Sequence, residues 1–211
     1  MSQNPSQSQK PPLVITMWET YGSNMEAIAE RLAADLKLPL HKQAYSSEAL
    51  EQAEAQRERQ GRFGAFQRHM LAAMISPDGL VMPMDATLAT NDAKMADDNL
   101  AIVRKRAEGG GVLQGRNGQY LLRDRPNTVH VKLDGPLQAR IRRAAQEHNL
   151  PEERAKKRQR LEDEFRSELS QKMYNFDPRD NGWYDIVING AELSTEDAVH
   201  LIKEAVKVFA K

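Results

Sequence analysis

Apolar and polar positions follow two rhythms along this chain. Leu13 to Trp18 (LVITMW) is a short, apolar, partly β-branched run with Gly22 soon after it, the pattern of a buried strand entering a turn. Met25, Ile28, Ala29, Leu32, Ala33 and Leu36 then recur at i, i+3, i+4, i+7, i+8 and i+11, which predicts an amphipathic helix. Ser23 and Glu26 have the spacing of a capping box at its start. Strand, tight turn and helix form the opening unit.

Leu38 to His41 predicts a second short strand, and Ser46 or Ser47 can cap a polar helix running to about Gln60. Between Arg62 and Glu108, Phe63, Phe66, Met70, Met74, Met84, Leu88, Met95 and Ile102 predict helices broken at SPDG, Ser76 to Gly79. GGGVLQGRNG (Gly109 to Gly118) sets a strand between glycine clusters. TVHVKLDGP (Thr128 to Pro136) alternates Val129, Val131 and Leu133 as a strand ending in a turn. Helix is expected from Pro136 to about His148, then a highly charged helix with little apolar face from Pro151 to Tyr174. YDIVIN (Tyr184 to Asn189) is the last strand. Ser194 and Asp197 open a final helix with Ala198, Leu201, Ile202, Ala205, Val206 and Phe209 in one stripe. Strands separated by helices need crossover connections, so the expected fold is α/β, a mostly parallel sheet with helices on both faces.

Composition narrows the function classes. A chain of 211 residues suits one sizeable domain. With 40% hydrophobic and 28% charged residues and a mean hydropathy of -0.68, a modest core ringed by solvent-facing helices is expected. Residues 1–12 are polar and rich in Ser, Gln and Pro, and are read as a disordered leader ahead of one domain over 13–211, with a helical insertion at about 45–108. Thirty basic residues balance thirty acidic ones, giving no argument for nonspecific binding to nucleic acid or anionic membrane. The basic stretch from Arg140 to Arg160 also lacks aromatic residues to stack on bases. The absence of cysteine excludes disulfides, thiolate metal sites and cysteine nucleophiles. No signal-like segment opens the chain, and LVITMW is far shorter than the roughly 20 residues of a spanning helix, so a cytoplasmic protein is expected. The histidines share no spacing, and no metal cluster is assigned.

Candidate chemistry begins at ETYGSNME, where the first strand meets the first helix and backbone N–H groups can face an anion. A full phosphate loop reads GxxxxGK[ST], and that string is absent. Laid over its end, Gly22, Ser23, Asn24, Met25 and Glu26 replace G-S-G-K-[ST], so methionine stands for lysine and glutamate for the metal-binding hydroxyl. A backbone cradle over Tyr21, Gly22, Ser23, Asn24, Met25 and Glu26 is the functional reading; a plain strand-to-helix turn is the structural one.

VITMWETYGSNMEAIAERLAADLKLPLHKQ resembles the opening of the cytidylate kinase-like family, whose loop usually reads close to YGSGG before an amphipathic helix. GGGVLQGRNGQYLLRDRPNTVHVKLDGPLQARIRRAAQ is similar to that family's second core motif, and YDIVINGAELSTEDAVHLI to its final strand and helix. The likeness runs from about residue 13 onward and is weak between about residues 50 and 108. It implies a P-loop NTPase-type, three-layer α/β/α kinase of nucleoside monophosphates, with an acceptor-binding insertion, an Arg-rich lid at about 151–175, and ATP with Mg²⁺ as cofactors. By the same resemblance the loop from Tyr21 to Glu26 would take ATP phosphates, and Arg116 and Asn117 would meet the acceptor. Arg158, Arg160, Asp163 and Arg166 would clamp phosphates from the lid, the R-x-x-D-x-x-R spacing being read as one helical face. A solvated charged helix is the competing reading of that stretch. Of Arg140, Arg142 and Arg143, one is expected to face the cleft, and a lid arginine or Lys42 could replace the missing loop charge. The implied reaction is ATP-dependent phosphorylation of a nucleoside monophosphate, CMP or dCMP first. A catalytically weak or inactive nucleotide-binding regulatory protein is the alternative.

Overall fold

Every residue of the first strand, Val14–Glu19 (β1), is buried, as a strand covered on both faces requires. The computed structural model describes residues 10–43, 47, 50, 51 and 92–211, with 92–95 as backbone only. The expected insertion and the start of the leader therefore fall largely outside the described residues. Around β1 stand β2 (Leu40–His41), β3 (Gly111–Gln114), β4 (Thr128–Asp134) and β5 (Ile186–Asn189). They form one sheet in the order β2-β3-β1-β4-β5, every pair parallel. The expected α/β class is the one observed. The last strand begins at Ile186 rather than Tyr184.

Parallel strands place all their C-terminal ends on one side, and register brings Glu19 opposite Leu133 and Met17 opposite Gln114 at that side. One face of the sheet is covered by α1 (Met25–Leu36) and α6 (Thr195–Phe209), which pack Ile28, Leu32, Ala198 and Ile202 against Ile15, Met17, Val131 and Leu133. On the other face Val14 and Leu113 meet Val103 and Ala107 of α2 (Asp92–Glu108) and Leu122, just beyond the short α3 (Gly118–Leu121). Ser194 caps α6 as its spacing predicts, its Oγ accepting from the Asp197 N–H at 3.0 Å.

The first capping box does not form. Asn24, in the left-handed region at φ 64°, is the N-cap of α1 and makes no side-chain cap. Ser23 turns its Oγ under the loop to Thr20 Oγ1 at 3.1 Å, while Glu26 points outward to Lys42 at 2.9 Å. The left-handed residue shifts the helix start by one position, so the i, i+3 pair no longer spans the cap.

The charged stretch is one long helix, α5 (Glu152–Tyr174), lying beside α4 (Leu137–Glu147). Its weak apolar pattern has a physical cause: the face it buries carries Arg158, Glu162 and Arg166 alongside Ala155, Phe165 and Leu169. Its end is fastened by an aromatic group, Tyr120 stacking on Phe176 at 4.6 Å with Trp183 edge-on to Phe176 at 5.2 Å.

Candidate functional site

Beyond the end of β1 the loop Thr20–Asn24 turns sharply into α1. Gly22 has φ +85°, and a Cβ there would lie 2.3 Å from the Arg140 carbonyl oxygen, so only glycine permits this turn against α4. The loop is anchored at each end by carboxylates of the chain itself. The Tyr21 N–H donates to Asp163 Oδ1 at 2.7 Å, and the Met25 N–H donates to Glu19 Oε2 at 3.2 Å. Among the described residues, no acceptor is bonded to the N–H groups of Gly22, Ser23 or Asn24.

Arg166 reaches this loop from α5. Its guanidinium lies 2.7 Å from Glu162, 3.6 Å from Glu19 and 4.0 Å from Asp163. Arg140 Nη1 donates to the Tyr21 carbonyl at 3.0 Å and to Asp163 at 2.8 Å, and its Nε donates to the Gly135 carbonyl at 3.1 Å. Of the three arginines on α4, Arg140 is therefore the one on the loop. Three carboxylates face two guanidinium groups, leaving one carboxylate in excess. Glu19 is the one pushed up, to about 7, because burial outweighs the attraction of Arg166.

Glu19, Tyr21, Gly22, Asn24, Gln114 and Arg166 line a cavity of about 340 Å³, with Lys42, Glu147 and His148 at other walls. Among the described residues, the cavity's buried Gln114 Nε2 and Glu162 Oε1 have no hydrogen-bond partner. A narrow crevice of about 20 Å³ adjoins it, sharing Glu19, Met25, Gln43 and Arg166 and adding Arg116 and Asn117. Arg116 and Asn117 are left-handed, each at φ 57°. Both are buried, and desolvation lowers the Arg116 guanidinium to about 10. Asn99 donates to the Arg116 carbonyl at 3.0 Å, and Ser170 donates to Asn117 Oδ1 at 2.7 Å.

The four arginine and aspartate positions expected to act together are only partly brought together. Asp163 and Arg166 face the loop. Arg160 is exposed and shares with Asp163 a broader cleft of about 990 Å³ that Trp18, Lys132 and Asp134 also line. Six residues turn a helix through about 600°, which leaves Arg160 and Arg166 roughly 120° apart, so the assumption of one face fails. Arg158 is buried and donates to Glu51 at 2.9 Å, holding that carboxyl down at about 2.

Lys42, expected to replace the loop charge, is spoken for by Glu26 and Glu30 at 2.9 and 2.8 Å. Asp134 accepts from Thr20 and from the Gly135 N–H and pairs with Lys132 at 3.1 Å, which occupies its oxygens. Among the described residues no three His, Asp or Glu side chains converge as a metal cluster. The backbone donors and guanidinium group fit an anion. No helix among the described residues is long and apolar enough to cross a membrane.

Sequence reasoning missed Glu19 and Glu162. A charged residue closing a wholly apolar buried strand is the signal for the first. For the second it is an i, i+4 Glu–Arg pair sharing a helix side with Phe165 and Leu169.

A parallel α/β domain with an anion-type loop at the end of its central strand defines the class. The cytidylate kinase-like family model matches residues 14–192, and the chain belongs to that family. Over 132 residues it is 27% identical to a cytidylate kinase of Methanopyrus kandleri, covering 54% of this chain and 67% of that protein. Over 123 residues it is 34% identical to a uronate isomerase of Corynebacterium glutamicum, covering 58% of this chain but only 24% of that longer protein. A crystal structure of a protein from Eubacterium ventriosum shares the fold, with a TM-score of 0.63 at 19% identity over 92% of this chain and 98% of that one.

Proposed function

We propose that the chain is an ATP-dependent kinase of nucleoside monophosphates, with CMP or dCMP as acceptor, working in the cytoplasm. The observation that carries this reading is the run of three N–H groups, Gly22 to Asn24, without acceptors among the described residues, at the start of α1 and beside a cavity that Arg166 lines. Successive backbone donors at a helix N-terminus stabilise an anion through both hydrogen bonds and the helix dipole. Family membership and the likeness to a cytidylate kinase favour a nucleotide as that anion's carrier.

In this reading Gly22, Ser23 and Asn24 hold the phosphate chain through their N–H groups, and Arg166 supplies the charge that methionine at position 25 cannot. Arg116 and Asn117 line an adjoining crevice of about 20 Å³, too small for a nucleotide, so they meet only an edge or the phosphate of an acceptor lying beside Arg166. ATP supplies the phosphoryl group, with Mg²⁺ on its phosphates. Transfer of that group needs positioning and charge stabilisation more than covalent chemistry, which suits a site built from arginines and backbone amides. Arg158 and Arg160 stay outside this core, one bound to Glu51 and one on the open cleft.

The test is ADP formation from Mg-ATP with CMP, dCMP, UMP, AMP and GMP in turn, beside Arg116→Ala. Acceptor-dependent turnover that falls at least tenfold in the variant supports the kinase. A second reading, a nucleotide-binding protein without useful turnover, is favoured by one observation: Glu19 already holds the Met25 N–H. Ordinary ATP affinity with no acceptor-dependent ADP would select it.

A further inference from the structure

The loop treats Glu19 as a cradle treats a phosphate oxygen. The Met25 N–H, first of α1, donates to Glu19 Oε2, and Arg166 lies 3.6 Å from Glu19 Oε1. These are two of the groups an incoming phosphate in the same cavity would need, and Glu19 lines both that cavity and the crevice of Arg116. A carboxylate and a phosphate cannot share them, since two anions in one buried site repel strongly.

The charges around Glu19 say which state yields. From α5 it faces Arg166 and Glu162; from the loop itself, Tyr21; from α4 and its C-cap, Glu147 and His148 across the cavity; from β3's end, Arg116; from α1 and the segment after β2, the mutually paired Glu26 and Lys42. Asp163 has Arg140 and the Tyr21 N–H, and Glu162 has Arg166 at 2.7 Å, so Glu19 holds the weakest claim on a cation. Protonating Glu19 removes the excess negative charge without breaking any of those closer pairs.

We propose that Glu19 is a proton-linked anion-binding residue of this loop. As a carboxylate it occupies the Met25 N–H and Arg166; as a carboxylic acid it releases them and offers its own O–H to an oxygen of the ligand. Phosphate binding then takes up one proton from solvent above neutral pH. The absent lysine is replaced by a neutral donor together with an arginine that keeps Glu162 as its partner. Burial, which already pushes this carboxyl upward, puts the exchange within reach of neutral pH. The inference rests on the nucleotide reading given above.

Calorimetric titration of the full chain with ATP at pH 6.0, 7.0 and 8.5, beside Glu19→Gln, tests it. The ratio of wild-type to Glu19→Gln affinity is expected to fall roughly 30-fold from pH 6.0 to 8.5, following the ionised fraction of one group near pH 7, while the ionisation of ATP itself is common to both proteins and cancels. Glu19→Gln, permanently neutral, should bind more tightly than wild type at pH 8.5. Parallel pH profiles for the two proteins would overturn the role of Glu19 while leaving the nucleotide site standing. No ATP binding by either protein at pH 6.0 would overturn the site and this inference with it. A measurement on the wild type alone guards against a misfolded variant: sulfate, which does not titrate in this range, is titrated at pH 8.0 in two buffers of different ionisation enthalpy. Uptake of close to one proton per sulfate supports the proposal, and zero uptake refutes it.

Discussion

Replacing Glu19 by glutamine reads the electrostatics of the loop through stability, with no ligand present. Burial raises this carboxyl from 4.5 to about 7 in the folded protein. At about 1.4 kcal/mol for each tenfold in proton concentration, the difference amounts to about 3 kcal/mol. The folded chain keeps a proton that the unfolded chain has lost, so the contribution is fully present below pH 4.5. It is eroded as pH rises and is gone above about pH 7, where the folded state must carry the ionised, buried group. Glutamine has no such dependence. Urea unfolding of both proteins, followed by circular dichroism from pH 4.5 to 8.5, should show wild-type stability minus variant stability falling by about 3 kcal/mol, with the variant the more stable at the alkaline end. Groups common to both proteins cancel in the difference. A difference flat within about 1 kcal/mol across the range would refute the reasoning, and one that rises with pH would show that Arg166 outweighs burial.

Other substitutions probe the frame around the loop. Gly22→Ala sets a methyl 2.3 Å from the Arg140 carbonyl at a φ that side chains rarely adopt, and a loss of about 2–4 kcal/mol is expected by thermal melting; an unchanged Tm would mean the loop relaxes freely. Arg140→Ala strips Asp163 and the Tyr21 carbonyl of a buried partner, with an expected cost of about 3–5 kcal/mol in urea unfolding. A cost under about 1 kcal/mol would show that solvent replaces the guanidinium. Phe176→Ala removes the ring stacked on Tyr120 at 4.6 Å and should cost about 3–5 kcal/mol, with the near-ultraviolet dichroism of Trp183 altered; retention of that signal would place the loss elsewhere.

The sheet was legible because its strands carry one kind of residue and its flanking helices another. LVITMW, TVHVKLD and the stripe from Ala198 to Phe209 each fix an element by apolar pattern alone. The α5 helix was legible as a helix but not by the face it buries. Its inward side mixes Arg158, Glu162 and Arg166 with Phe165 and Leu169, and a charged residue bound to another charged residue looks, in sequence, like one bound to water. The same ambiguity hid Glu19 while leaving Gly22 plain, since a glycine between strand and helix declares a turn by its type. Arg116 and Asn117 stand out through the order of motifs only as candidates, and their left-handed backbone and shared crevice with Glu19 emerge only when β3 and α5 are set side by side. Pairing decides Glu19 and Arg158, and their partners Arg166 and Glu51 lie more than 100 residues away and leave no local pattern.

The methionine in place of lysine is then a consequence of where position 25 points. Met25 is 4% exposed and packs with Ile28, Leu32 and Val131 in the core beneath the loop, while it also lines the cavity and its crevice. A lysine there would have to bury its stem in that core and lift its ammonium into a cavity whose cationic place Arg166 already fills. With the charge carried on α5 instead, Glu162 and Asp163 follow as the counter-ions of Arg166 and Arg140, and the loop is held from outside rather than by its own first helical side chain. Met25→Lys therefore does not restore a working phosphate loop. It is expected to lower stability by about 1–3 kcal/mol through overpacking and partial burial of a charge, and to leave acceptor-dependent ADP formation no higher than wild type. Thermal melting and the coupled ADP assay on the same preparation decide the matter. A variant with undiminished Tm and tenfold faster turnover would mean that position 25 still faces the phosphates, and that the positive charge of this site belongs on the loop after all.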